Sequence, residues 1–181
     1  MPALKKLIFR KRNIEKKLVA NLAGCGWIRK GHNLLISGPC GTGKTYLSSA
    51  FGNAACRNGY TVRCFRIPRL LVDMHIGRGD GSWEKILKDL KKPDLLILDD
   101  FGLAPLEPLQ CRDFLEVVED RCSSASIIVS SQLPVSSWHP VFTDATIADA
   151  VLDRLLQNAH RFELKGPSRR LHTFPSDENE P

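Results

Sequence analysis

At 181 residues the chain is the size of one domain, and 43% hydrophobic with 25% charged residues excludes a collagen, a coiled-coil rod or a wholly disordered chain. The net charge of +6 is unevenly placed: residues 1–30 carry nine Lys or Arg against one acid, Glu15, so the remaining residues sum to −2. Basicity therefore belongs to an N-terminal arm and is no signature of a nucleic-acid-binding body. No apolar run approaches the ~18 residues of a membrane span. The stretch 18–28 is broken by Asn21, Gly24 and Gly26, so no signal peptide is expected and the chain reads as cytoplasmic. The six cysteines form no C-x-x-C pair, which points to reduced thiols packed as small hydrophobes rather than to a zinc site.

In chain order, a helix is expected over Ile14–Ala23, then five short apolar runs: Asn33–Ser37, Thr61–Arg66, Asp94–Leu98, Ser126–Ser131 and Arg161–Lys165. The first, third and fourth are nearly continuous in Leu, Ile and Val, as in strands covered on both faces; the other two alternate, as near a sheet edge. Their starts lie 28 to 35 residues apart, the length of βαβ units. Helical segments fill the intervals at Lys44–Arg57, Arg69–His75, Trp83–Lys91, Pro108–Arg121 and Ile147–Gln157. Right-handed crossovers then give a three-layer α/β fold with a five-stranded parallel sheet. The expected organisation is a basic arm over residues 1–24, a catalytic body over 25–165 and a disordered tail over 166–181.

Between the first strand and its helix stands Gly38-Pro39-Cys40-Gly41-Thr42-Gly43-Lys44-Thr45, followed by Tyr46. This is G-x-x-x-x-G-K-[ST] in the strand-to-helix context the motif requires. Its glycines let backbone amides converge on phosphate at a helix N-terminus. Lys44 is placed to reach the β and γ phosphates of ATP, and the Thr45 hydroxyl to ligate Mg2+. The third strand ends in Asp99-Asp100, beside that loop, because ligands bind outside the carboxyl ends of parallel strands. Asp99 is expected to hold Mg2+ through a bound water and Asp100 to polarise an attacking water; helix-capping aspartates are the plainer alternative. A whole strand between the two motifs favours the ATPase branch of phosphate-loop proteins over the GTPases. The fourth strand ends in Ser130-Ser131-Gln132, where a side chain either senses the γ-phosphate or only begins a turn. Arg154 flanks the apolar stripe of its helix. It is expected either to reach a neighbouring subunit's γ-phosphate as an arginine finger or to pair with Asp149 or Asp153.

Together these residues resemble the IstB-like ATPases, transposition helpers related to the DnaC helicase loaders within the AAA+ initiators. The resemblance runs through CGWIRKGHNLLISGPCGTGKTYL, RIPRLLVDM, GRGDGSW, DLLILDDFGLAPL, VSSQLPVSSWH and ADAVLDRLLQNAHRFELKG, from about residue 8 to about residue 170. It implies an AAA+ base domain without a C-terminal lid, with strand order 5-1-4-3-2. It also implies ATP-dependent self-assembly into a homo-oligomer on DNA, and a transposase or helicase-type partner. By the same resemblance Asp99 and Asp100 look like the Walker B pair, Ser131 and Gln132 like the sensor-1 turn, and Arg154 like the finger. Two departures stand out. The family's helical N-terminal domain is missing ahead of the matched region, which puts its DNA and transposase contacts in doubt. Asp100 also stands where AAA+ proteins generally have Glu, shortening the reach by about 1.5 Å, one C–C bond. That predicts slow hydrolysis.

Two functions follow. One is an ATPase that assembles on DNA, with Lys5, Lys6, Arg10, Lys11, Arg12, Lys16 and Lys17 holding phosphate backbone; a merely solvated charge run is the plainer reading of that arm. The other is a non-hydrolysing ATP-binding interaction module. A small-molecule kinase would need an Arg-rich lid between Asp99 and Arg161, which the sequence lacks. Cys40, inside the loop, is expected to block ATP binding when its thiol is modified.

Overall fold

The computed structural model describes residues 16–122 and 124–168. Its elements follow the expected rhythm. Helix α1 (Lys16–Ala23) leads to a short 3-10 turn and strand β1 (Leu34–Ser37). Then come α2 (Lys44–Arg57), β2 (Val62–Arg66), α3 (Ile67–Asp80), α4 (Trp83–Lys91), β3 (Leu95–Phe101) and α5 (Pro108–Arg121). The chain continues through β4 (Ser126–Ser131), two 3-10 turns, α6 (Ala145–Leu156) and β5 (His160–Glu163). All five strands are parallel in the order β2-β3-β4-β1-β5, which is the 5-1-4-3-2 order read from the other edge.

The Leu/Ile/Val runs behave as strands buried on both faces. Every residue of β1 and β4 is buried, whereas the edge strands β2 and β5 are partly exposed. Alternate side chains of the sheet go to opposite faces. Leu34, Ile36, Leu95, Ile97 and Ile128 pack under α1 and α2 with Val19, Leu22, Phe51 and Phe162. Leu35, Leu96, Leu98, Ile127 and Val129 pack under α3 to α6 with Met74, Phe114, Trp138 and Val151. Helix α1 is thus part of the body, although it falls within the stretch read as an arm. Of that arm, residues 1–15 lie outside the described residues.

Several boundaries differ from expectation for local reasons. Helix α3 begins at Ile67 because Pro68 suits the first turn, and it runs on to Asp80, where Gly81 ends it in a left-handed conformation. Helix α6 begins two residues early because the Asp144 carboxylate accepts the Ile147 amide at 3.1 Å. Strand β3 continues three residues past Leu98, through both aspartates to Phe101. Only Cys25 and Cys111 are buried as packed hydrophobes; Cys40, Cys56 and Cys64 are exposed. The expectation of packed thiols therefore fails at those three positions.

Two buried polar centres hold the helices in place. Arg121 is 1% exposed and faces carbonyls rather than a carboxylate: it donates to Leu90 O at 2.7 Å, Pro93 O at 2.9 Å and Ser126 O at 3.0 Å. Burial pulls its guanidinium down to about 10. Asp113 accepts the Trp83 indole N–H at 3.0 Å and the Arg78 Nε at 3.0 Å, which fastens α3 and α4 to α5.

Candidate nucleotide site

The turn between β1 and α2 is fixed from both ends. Gly38 N donates to Ser131 O at 3.2 Å, and the Thr42 hydroxyl to Pro39 O at 2.8 Å. Helix α2 starts at Lys44 with no side-chain cap on its first turn. Its leading amides thus point into the turn, where an anion suits them. Lys44 is 8% exposed and curls its ammonium over the turn, donating to Gly38 O at 2.6 Å and Pro39 O at 2.9 Å. A cleft of about 580 Å³ opens beside it, lined by Cys40, Gly41, Gly43, Lys44, Thr45 and Tyr46 from the turn and helix. Arg66, Asp99, Asp100, Leu103 and Gln132 complete its lining. The structure therefore brings the loop, both aspartates and Gln132 to one place. Gly38, Pro39 and Thr42 shape the loop without lining the cleft.

Asp99 is 6% exposed and held by two hydroxyls: Thr45 donates to its Oδ2 at 2.8 Å, and Ser130 donates to its Oδ1. This hydroxyl–carboxylate pairing above a buried lysine is the donor set of a hard divalent cation beside phosphate, so the residues fit Mg2+. The neighbouring Cys64, exposed as a residue, still loses part of the water around its thiol, and this and then the Asp99 charge push the thiol up.

Asp100 occupies a β-bulge. Leu98 pairs with Val129 but Phe101 with Ser131, so β3 spends three steps where β4 spends two. The extra residue is Asp100, with φ of 63°. Without the bulge, Phe101 would follow Ile97 onto the α2 face; with it, Phe101 joins Leu96 and Leu98 in the opposite core. The insertion keeps both carboxylates at the cleft while Phe101 anchors the strand. The Asp100 Oδ2 accepts from Arg66 Nε at 2.9 Å and pairs with its Nη2 at 2.8 Å.

Ser131 is not brought to the cleft. Its hydroxyl donates to Phe101 O at 2.7 Å and accepts from Leu133 N at 3.0 Å, and it is fully buried. Its neighbour Ser130 faces Asp99 instead. Arg154 is also elsewhere. Its carbonyl accepts from Asn33 Nδ2 at 3.3 Å, just before β1, whereas the phosphate loop follows β1. The four-residue strand puts about 13 Å between them. Its guanidinium donates to Ala150 O at 2.9 Å and pairs with Glu119 at 2.8 Å rather than with Asp149 or Asp153. Sequence reading thus left Ser130 undecided against Ser131, and it missed Arg66 and Glu119.

The family described as IstB-like ATP binding protein matches residues 2–175. This chain belongs to that family. It is 45% identical over 159 residues to a Sinorhizobium fredii protein, y4pL, named as an insertion-sequence ATP-binding protein, covering 88% of this chain and 65% of that one. It is 50% identical over 128 residues to the IS1162 protein of Pseudomonas fluorescens, named likewise, covering 71% of this chain and 55% of that one. The IstB-like chain described here thus spans less than two thirds of either relative. Among solved structures, DnaI superposes with a TM-score of 0.74 at 20% identity, covering 92% of this chain and 89% of that one. A replication initiator DnaA bound to AMPPCP and single-stranded DNA also gives 0.74, at 22% identity, covering 91% of this chain and 50% of that one. The DnaC helicase loader gives 0.67 at 20% identity, covering 82% and 87%. These likenesses establish the AAA+ fold of the IstB-like chain.

Proposed function

We propose that this chain is an AAA+ ATPase that binds ATP with Mg2+, hydrolyses it slowly and self-assembles on DNA as a transposition helper or helicase-loader-like factor. The observation that carries the reading is the Thr45–Asp99–Ser130 contact beside the Lys44 loop. In it the loop amides and Lys44 hold the phosphates of ATP, and Thr45 with Asp99 would hold Mg2+. The cation, when bound, supplies neutralisation of phosphate-oxygen charge. Asp100 accepts a hydrogen bond from the attacking water and orients it toward the γ-phosphorus, and Gln132 lines the same cleft. Cys40 lies on the cleft rim, where a modified thiol obstructs the phosphates.

Arg154 supports assembly because of where it is not. At the far end of the sheet from its own loop, it can complete only a neighbour's site, and it must leave Glu119 to do so. The partners proposed are DNA backbone, a transposase or helicase-type protein and further copies of this chain, in the cytoplasm. Among the described residues no helix is long and apolar enough to cross a membrane. Of the proposed DNA-binding arm, Lys5, Lys6, Arg10, Lys11 and Arg12 lie outside the described residues, and Lys16 and Lys17 open α1.

Phosphate release with ATP, Mg2+ and duplex DNA tests this. DNA-stimulated turnover lost in Asp100→Asn supports it. The second reading, an ATP-binding module without turnover, is favoured by the Arg66 pair, which occupies the carboxylate hydrolysis needs. Nucleotide binding with no phosphate release, with or without DNA, selects it. Deleting residues 1–17 must weaken DNA binding and flatten its salt dependence for the arm to have its proposed role.

A further inference from the structure

A second cavity opens at the end of the sheet away from the phosphate loop. Residues just ahead of three strands help to form it: Asn33 before β1, Ala125 before β4 and Asn158 before β5. Its volume is about 140 Å³. That is about the size of a hole that takes a benzene ring, and less than half of the ~300 Å³ at which pockets for cofactors and drug-sized ligands begin. A nucleotide is too large for it, and a small oxyanion is not.

Three cations line this cavity, Lys30, Arg121 and Arg154, and among the described residues no Asp or Glu does. Their charges are poorly matched. Arg121 spends four of its five guanidinium donors on the carbonyls of Leu90, Lys91, Pro93 and Ser126, and its buried Nε has no acceptor among the described residues. The carboxylate whose charge reaches it, Asp94, is held instead by the Thr61 amide and hydroxyl, both at 2.7 Å. Lys30 has no carboxylate partner among the described residues. Arg154 commits two of its five donors, to Ala150 O and to Glu119, the one acid that answers any of the three. A buried positive charge without a counter-ion favours an anion brought beside it. We infer that this cavity is a binding site for inorganic phosphate, which Lys30 and Arg154 hold against the buried charge of Arg121. Gln157 and Asn158, both exposed, also line it and carry amide donors suited to phosphate oxygens. The site is independent of the nucleotide reading, because the phosphate loop lies past the other end of β1.

Cys122 lines this cavity and Cys40 the nucleotide cleft, whereas the exposed Cys56 lines neither, so thiol labelling tells the two sites apart in the intact chain. The full chain is treated with iodoacetamide in phosphate or in chloride at equal, low ionic strength, and each cysteine is followed by mass spectrometry. Phosphate is expected to slow labelling of Cys122 by at least about threefold and to leave Cys56 unchanged. Lys30→Gln is expected to remove the protection of Cys122 and to leave any protection of Cys40 as it was. As a second measurement, equilibrium dialysis with radiolabelled phosphate uses Lys44→Ala, in which the loop is weakened. Adding Lys30→Gln to that variant is expected to lower its phosphate affinity by at least about fivefold. Equal labelling of Cys122 in the two salts, protection that survives Lys30→Gln, or dialysis binding that is absent or indifferent to Lys30→Gln overturns the site. Dialysis alone decides if Cys122 resists the reagent in chloride.

Discussion

Arg66, at the end of β2, holds Asp100 through two of its nitrogens, Nε at 2.9 Å and Nη2 at 2.8 Å, both on the same carboxylate oxygen. The candidate water-polarising group is therefore engaged by a cation whose own side chain is 70% exposed. An ion pair that open contributes about 1 kcal/mol at most, which corresponds to about fivefold in rate. Arg66→Gln is accordingly expected to raise DNA-independent ATP turnover by up to about fivefold while leaving ATP affinity within twofold. Phosphate-release kinetics measure this; a fall in turnover would show that Arg66 assists hydrolysis instead.

Asp100 carries a structural load separable from its chemistry. At φ of 63° it occupies a conformation that Asn tolerates and Ala resists by about 1 kcal/mol. Asp100→Asn should abolish turnover and cost no more than the exposed Arg66 pair, about 1 kcal/mol at most. Asp100→Ala should abolish turnover and lower unfolding stability by about 1 kcal/mol beyond the Asn variant. Urea titrations compare the two, and equal stabilities would remove the strain account of the bulge.

Arg121 is the centre whose removal should cost most. Replacing it with Met keeps volume but strands the carbonyls of Leu90, Pro93 and Ser126 in a dry interior. Orphaned buried acceptors cost about 1–3 kcal/mol each, so a loss of about 3 kcal/mol or more is expected in urea unfolding. A loss below about 1 kcal/mol would mean water replaces the guanidinium.

Stability should also fall in mild acid. Burial, and then the neighbouring His32, pushes His160 below its ordinary value, so the folded protein keeps it neutral after the unfolded chain has taken up a proton. Its contribution is complete above pH ~6.5 and is lost progressively as pH drops below that. The drop in Tm between pH 7.5 and pH 5.5 is expected to shrink in His160→Gln. An unchanged drop would assign the effect to other groups.

The sheet was legible because its buried strands are almost pure Leu, Ile and Val, and the phosphate loop because its chemistry is local to eight residues. The same purity hid the serine phase. Ser126–Ser131 is buried on both faces, so no polar alternation says which of Ser130 and Ser131 faces Asp99. Only its registry with β3 decides, and that registry is shifted by the bulge at Asp100. The partners of Asp100 and Arg154 were hidden for a related reason. Arg66 and Glu119 lie 34 and 35 residues away and are brought near by strand order and helix packing, whereas sequence spacing offers only neighbours such as Asp149 and Asp153.

A mixing experiment bears most directly on the account as a whole. Lys44→Ala removes the phosphate-holding lysine and Arg154→Ala the proposed finger. Each alone is expected to release phosphate from ATP and Mg2+ on duplex DNA at near-background rates while the wild-type protein turns over. Mixed in equal amounts, they form some interfaces pairing an intact loop with an intact arginine, about a quarter of the total in a head-to-tail assembly. The account predicts recovery of a comparable share of wild-type turnover. A mixture as inactive as its components, beside an active wild type, would contradict it.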